Sequence, residues 1–174
     1  MGATVSRGSG FPAAIEESFQ IMSYTKGSHR LRKGRVSEIG QYYLVTTATL
    51  GRSPVFTLPE AAQLVLSSLQ WLKNKGLILL ECAVVMPDHL HFVAQLRSAS
   101  LGAVVQSVKG FSSRQINLLL RRKGPLWQSL YYDHAIRTDE VLEDVVLYCL
   151  YNPVRAGLVE DFHQYPFWYC RWEP

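Results

Sequence analysis

Apolar and polar residues follow two different periods along this chain, and each switch of period marks an element. From Leu77 to Leu96, LILLECAVVMPDHLHFVAQL, two runs rich in Val, Ile and Leu flank Pro87-Asp88. That dipeptide suits the start of a tight turn, so the stretch predicts an antiparallel hairpin. Gln41 to Leu50, QYYLVTTATL, is dense in Tyr, Val and Thr and predicts an earlier strand. Between the two, apolar residues recur at Ala61, Leu64, Val65, Leu69 and Leu72. This is the spacing of one helical face, and it predicts a helix over Leu58 to Lys75 with Pro59 in the first turn and Gly76 as the stop.

After the hairpin, Leu101, Val104, Val105, Val108 and Phe111 predict a second helix from Ser100 to about Arg122, with Ser100 as N-cap and Gly110 as a weak point. Leu126 to Arg137 reads as a loop running into a short strand. Thr138 is a suitable N-cap followed by Asp139 and Glu140, where the helix dipole favours negative charge, so a third helix is expected from there to about Asn152. Pro153 biases the residue before it away from helix. The remainder, VRAGLVEDFHQYPFWYCRWEP, is expected to cover the core with its aromatics.

At 174 residues and 48% hydrophobic, the chain has the size and composition of one domain with a substantial core. Residues 1–35 are expected to form a flexible, basic arm and residues 36–174 the single folded domain. No run of about 18 apolar residues occurs and the start of the chain lacks a secretory pattern, so a soluble cytoplasmic monomer with no membrane contact is expected. Cys82, Cys149 and Cys170 are widely spaced and odd in number, which argues against a disulfide framework or a zinc ribbon.

The net charge of +4 and pI near 9.0 say little alone, but the cations are grouped. Lys26, Arg30, Arg32, Lys33 and Arg35 fall in one short span. Lys109 and Arg114 lie off the apolar face of the second helix, near Arg121, Arg122 and Lys123. Both groups are candidates for binding phosphates, against the simpler reading of solvated surface.

Two patterns carry candidate chemistry. His89 and His91 are two apart in a strand, so they share one face while Leu90 points into the opposite layer. Two imidazoles on one rigid edge can share a metal ion, or can simply be hydrogen-bonded to neighbours. On the third helix Tyr148 and Asn152 are one turn apart on one face. A half-buried tyrosine and a helix-capping asparagine are the plainer alternatives.

Taken together, Met86-Pro87-Asp88 before His89-Leu90-His91, Trp127-Gln128 before Tyr131-Tyr132-Asp133-His134 and Arg137, and Tyr148 followed by Asn152-Pro153-Val154-Arg155-Ala156-Gly157-Leu158-Val159 resemble the REP-associated tyrosine transposases. These are bacterial relatives of the single-tyrosine HUH transposases, and the resemblance runs from about Arg35 to Val159. It implies an α+β fold, a mostly antiparallel sheet packed with helices around a ferredoxin-like or RRM-like core. It further implies a divalent ion, Mg2+ or Mn2+, held by His89 and His91 with Asn152 as third ligand. Tyr148 would be the nucleophile toward single-stranded DNA with REP-like hairpins, forming a covalent 5′-phosphotyrosine, and Arg155 would join the basic groups as a DNA contact. A phenol, with a pKa of about 10, needs such electrophilic help at neutral pH.

Where the family commonly has His two residues after its tyrosine, this chain has Leu150. Tyr131, Tyr132 and Tyr151 compete with Tyr148 for the nucleophile's role. Two other readings stay open: a non-catalytic protein that binds hairpin DNA on the same fold, and a metal-dependent hydrolase of a small phosphoester.

Overall fold

The hairpin anticipated at Pro87-Asp88 forms the centre of a five-stranded sheet. The computed structural model describes residues 37–172. In chain order its main elements are β1 (Tyr42–Ala48), α1 (Pro59–Asn74), β2 (Ile78–Met86), β3 (His89–Leu96), α2 (Leu101–Leu119), β4 (Tyr132–Ala135), α3 (Leu142–Leu150), α4 (Asn152–Arg155) and β5 (Trp168–Cys170). The strand order is β4-β1-β3-β2-β5 and every pairing is antiparallel. The fold is therefore α+β, as the resemblance implies. No described helix is long and apolar enough to cross a membrane.

Each side of the sheet has its own helices. Leu90, Phe92 and Ala94 of β3 join Val45 of β1 and Ala83 and Val85 of β2 in one core with the buried faces of α1 and α2. The opposite side, which by the two-residue period carries His89 and His91, is covered by α3 packing on β2 and β3.

Local chemistry sets most element ends. Gly76, at φ +68°, closes α1 with Leu77 N–H donating to Leu72 O and Gly76 N–H to Lys73 O, a Schellman stop. Ser100 caps α2 by accepting from Ala103 N–H. That helix runs through Gly110 unbroken.

Three expectations need correcting. The buried stripe of α2 continues from Val108 to Ser112 and Ile116, while Phe111 is 44% exposed. Ser112 is tolerated inside because its hydroxyl donates to Val108 O and accepts from Trp127 Nε1. The third helix starts at Leu142, since Glu140 instead accepts from Arg137 N–H and pairs with His134, which holds Thr138 to Glu140 in a turn. It also ends at Leu150, and Asn152–Arg155 forms a separate turn of helix. Finally, Phe162 and Tyr165 do bury themselves, but Trp168–Cys170 adds a fifth strand along β2.

Candidate active site

The hairpin tip is held before any ligand arrives. Thr49 donates its N–H and its hydroxyl to Asp88 O, and Phe56 N–H donates to Pro87 O. The Asp88 carboxylate then serves two partners: Oδ1 meets His89 Nδ1 at 2.5 Å, and Oδ2 meets Arg52 Nε at 3.1 Å. Two residues along β3, His91 Nδ1 shares a 2.7 Å hydrogen bond with Thr46 Oγ1, its register partner on the neighbouring β1. The two imidazole rings stand edge to face with centroids 4.7 Å apart.

These contacts suit metal ligation. With both Nδ1 atoms engaged by oxygen partners, ring orientation is set and Nε2 of each ring is the remaining ligating atom. Burial lowers the pKa of His89, and lowers that of His91 well below its usual range, with the positive charges of Arg155 and Arg52 adding to the effect on His91. Both are thus kept neutral, the form a metal needs. Among the described residues no group of three or more His, Cys, Asp or Glu could hold a metal. Among the described residues a third protein ligand would then be of another type, such as an amide oxygen.

The helical side supplies a phenol and a guanidinium. Tyr148 is half-buried near the C-terminal end of α3, and the Arg155 guanidinium lies over its ring at 4.5 Å. The positive charge of Arg155 also disfavours protonation of His91. The NPVRAGL run explains how Arg155 gets there. Pro153 starts the short α4, and Gly157, at φ +68°, ends it with Leu158 N–H donating to Pro153 O. Arg155 is seven residues after Tyr148, about two helical turns, so the short α4 keeps it on the side of Tyr148. Tyr151 packs its ring 5.1 Å from that of Phe162, in the C-terminal aromatic cluster.

Asn152 sits where the sequence puts it, one turn after Tyr148. Its Nδ2 donates to Tyr148 O at 3.1 Å and Cys149 O at 3.0 Å, so it caps α3. Those bonds use only the donor end of the amide. Lys109, expected to reach a ligand, is tied to the loop after α2. Its Nζ donates to Gln128 O and Leu130 O and sits 5.6 Å from the Tyr131 ring centroid, because the loop after α2 covers that side of the helix. Arg114 is exposed, as expected. Lys26, Arg30, Arg32, Lys33 and Arg35 lie outside the described residues.

Sequence reasoning misses Thr46, Arg52 and Asp88. Asp88 reads from the sequence only as a turn residue, although a carboxylate beside a histidine is itself a signal. Thr46 can be paired with His91 only once the strand register is known, and no spacing points to Arg52.

A family described as IS200-like transposases matches residues 38–149. The chain is 29% identical over 94 residues to a protein of Haemophilus influenzae named as a REP-associated tyrosine transposase, a match covering 48% of this chain and 53% of the other. The chain thus spans about half the length of that curated relative. Among solved structures, that of a REP-associated tyrosine transposase bound to a REP hairpin superposes with a TM-score of 0.63 at 22% identity, covering 77% of this chain and 79% of the other. At that identity the likeness is one of fold.

Proposed function

Because the chain belongs to the IS200-like transposase family, we propose that it is a metal-dependent single-stranded DNA endonuclease and strand transferase acting on hairpin-forming, REP-like repeats. The observation that carries this reading is the pair of oriented imidazoles on the side of the sheet covered by α3, the helix that bears Tyr148 with the Arg155 guanidinium over its ring at 4.5 Å. That Tyr148 and Arg155 come from the helices on the side of the sheet that carries the histidine pair supports the reading.

In this reading Tyr148 Oη gives up its proton and forms a bond to phosphorus, while the P–O3′ bond breaks and O3′ takes a proton. The product is a 5′-phosphotyrosine and a free 3′ hydroxyl. The phosphodiester energy is kept in that link, so rejoining to another 3′ end needs no ATP. A divalent ion, Mg2+ or Mn2+, on His89, His91 and the Asn152 amide oxygen would polarise the scissile phosphate and offset its growing negative charge. Arg155 would bind the non-bridging oxygens and hold the phosphorus before Tyr148. Asp88, Thr46 and Arg52 position the imidazoles. The domain doing this is residues 36–174, acting as a monomer.

The deciding experiment is incubation with labelled hairpin single strands and Mn2+. Wild type and Tyr151→Phe should form a covalent DNA adduct, and Tyr148→Phe should form none while still binding the hairpin. An adduct from Tyr148→Phe that disappears in Tyr151→Phe would move the nucleophile. The basic arm, Lys26, Arg30, Arg32, Lys33 and Arg35, is proposed to bind phosphates together with Arg114. Neutralising the arm should flatten the salt dependence of binding by a slope of about 0.7 for each single-strand phosphate that is no longer neutralised. An unchanged slope would leave the arm as solvated surface.

A further inference from the structure

Cys82, Cys149 and Cys170, far apart in the sequence, converge between the sheet and α3. Cys82 and Cys170 are register partners on β2 and β5, and directly opposed residues of a ladder share one side of the sheet. That side faces α3, since Cys82 Sγ lies 4.0 Å from Val146 O and has the Cys149 thiol as a neighbour. All three are free thiols, Cys82 and Cys149 buried and Cys170 partly exposed. The chemistry proposed above uses none of them.

The ladder sets the spacing of the cross-strand pair. Arg171 N–H donates to Glu81 O and Val85 N–H to Phe167 O, so the hydrogen-bonded pairs of β2 with β5 fall at Glu81, Ala83 and Val85. Cys82 and Cys170 lie between them, in the narrow kind of pair whose Cα atoms are about 4.5 Å apart. A disulfide spans Cα separations from about 4.4 Å upward. Two side-chain contacts hold this register: Arg171 Nε pairs with the buried Glu81 Oε2 at 2.6 Å, and Lys73 Nζ donates to Tyr169 Oη at 2.8 Å. As a three-residue strand with a neighbour on one side only, β5 is free to make the small adjustment that brings the sulfurs to bonding distance.

Oxidation has to start at a thiol that solvent reaches, and here that is Cys170. Burial raises the pKa of both members of the pair, Cys82 well above its ordinary range, so both are protonated at neutral pH and react slowly.

We propose that Cys82 and Cys170 form a cross-strand disulfide when the protein meets a low-molecular-weight disulfide such as oxidised glutathione, which staples β5 to β2 and draws Cys82 Sγ away from α3. The Cys170 thiolate attacks one sulfur of the oxidant, giving a mixed disulfide and one released thiol. Cys82 then attacks the Cys170 sulfur and expels the second. Two protein thiols thus give two electrons and two protons to the oxidant, which leaves as two thiols. The helix that gives up its contact with Cys82 carries Tyr148, so the modification reaches the candidate nucleophile.

The test is incubation of the full chain with oxidised glutathione, followed by alkylation and digestion without reductant. A peptide pair linked through Cys82 and Cys170 should appear, with Cys149 alkylated once the chain is denatured. The melting temperature should rise by roughly 5–10 °C, because the bridge closes a long loop of the unfolded chain, and reductant should reverse the rise. Cys170→Ser should show neither the link nor the shift, and Cys149→Ala should show both. Backbone amides of α3 should exchange roughly two- to fivefold faster in the oxidised protein, the scale of one weak hydrogen bond withdrawn. A Cys82–Cys149 link, a link between two chains, a stable glutathione adduct at Cys170 or an unchanged melting temperature would overturn the proposal. Unchanged exchange in α3 would overturn its reach to the nucleophile helix. None of these readouts needs DNA cleavage, so they stand or fall apart from the transferase reading.

Discussion

The two sides of β3 differ most where the strand leaves the hairpin turn. Leu90, Phe92 and Ala94 face a dry core shared with two long helices and are 0%, 0% and 2% exposed. His89 and His91 face a thinner layer made by a nine-residue helix, where each ring is held by one polar neighbour. The first side makes the strand immobile. The second uses that immobility, since a pair of ligands is useful only if their separation is set before the metal arrives. Stability and candidate chemistry are thus divided between alternate residues at the start of the strand, while Val93, further along the histidine side, is fully buried.

The largest effect that could break this division comes from the core side. Phe92→Ala should cost about 3–5 kcal/mol in urea unfolding through reduced burial and the cavity left behind. His91→Ala should cost only about 1 kcal/mol, one hydrogen bond, yet abolish adduct formation. Comparable losses of stability from the two would show that the histidine side also carries the fold.

A second test sharpens the comparison with pH. Both imidazoles titrate below the usual value of about 6.5 because burial disfavours the charged ring. In the metal-free chain the unfolded state then takes up protons that the folded state refuses. Their contribution to stability should be complete above about pH 6.5 and fall as the pH drops toward the folded-state values. Urea midpoints with chelator present, at neutral pH and near pH 5, should show a smaller acid loss for His91→Gln than for wild type. An equal loss in both would mean that other groups dominate.

The smallest effect is at Asn152, which belongs to both roles. Asn152→Ala removes two hydrogen bonds to helix-end carbonyls and should lower stability by about 1 kcal/mol. If the amide oxygen also binds metal, the same change raises the Mn2+ concentration needed for cleavage, and Asn152→Asp restores it. Superimposable Mn2+ titrations of wild type and Asn152→Ala would leave Asn152 as a cap only.

Much of this is legible without coordinates because it depends on near neighbours. The period of two through Leu90 and Phe92 assigns His89 and His91 to one side, Pro87-Asp88 places the turn, and Gly76 and Ser100 mark helix ends through their own backbone chemistry. Tertiary structure alone decides what depends on distant parts of the chain. Strand register chooses Thr46 as the partner of His91, and the turn before β3 brings Asp88 to Arg52. Competition for Glu140 by His134 and the Arg137 backbone moves the start of α3, although Thr138, Asp139 and Glu140 form a sound local helix signal. Lys109 reads as a cation available to a ligand because its partners, two carbonyls of the loop after α2, lie about twenty residues away in a segment without a period of its own. The approach of Arg155 to the Tyr148 ring belongs to the same class. The seven-residue spacing puts Arg155 two helical turns after Tyr148, but only the break between α3 and α4 and the packing of α4 decide that the guanidinium lies over the ring.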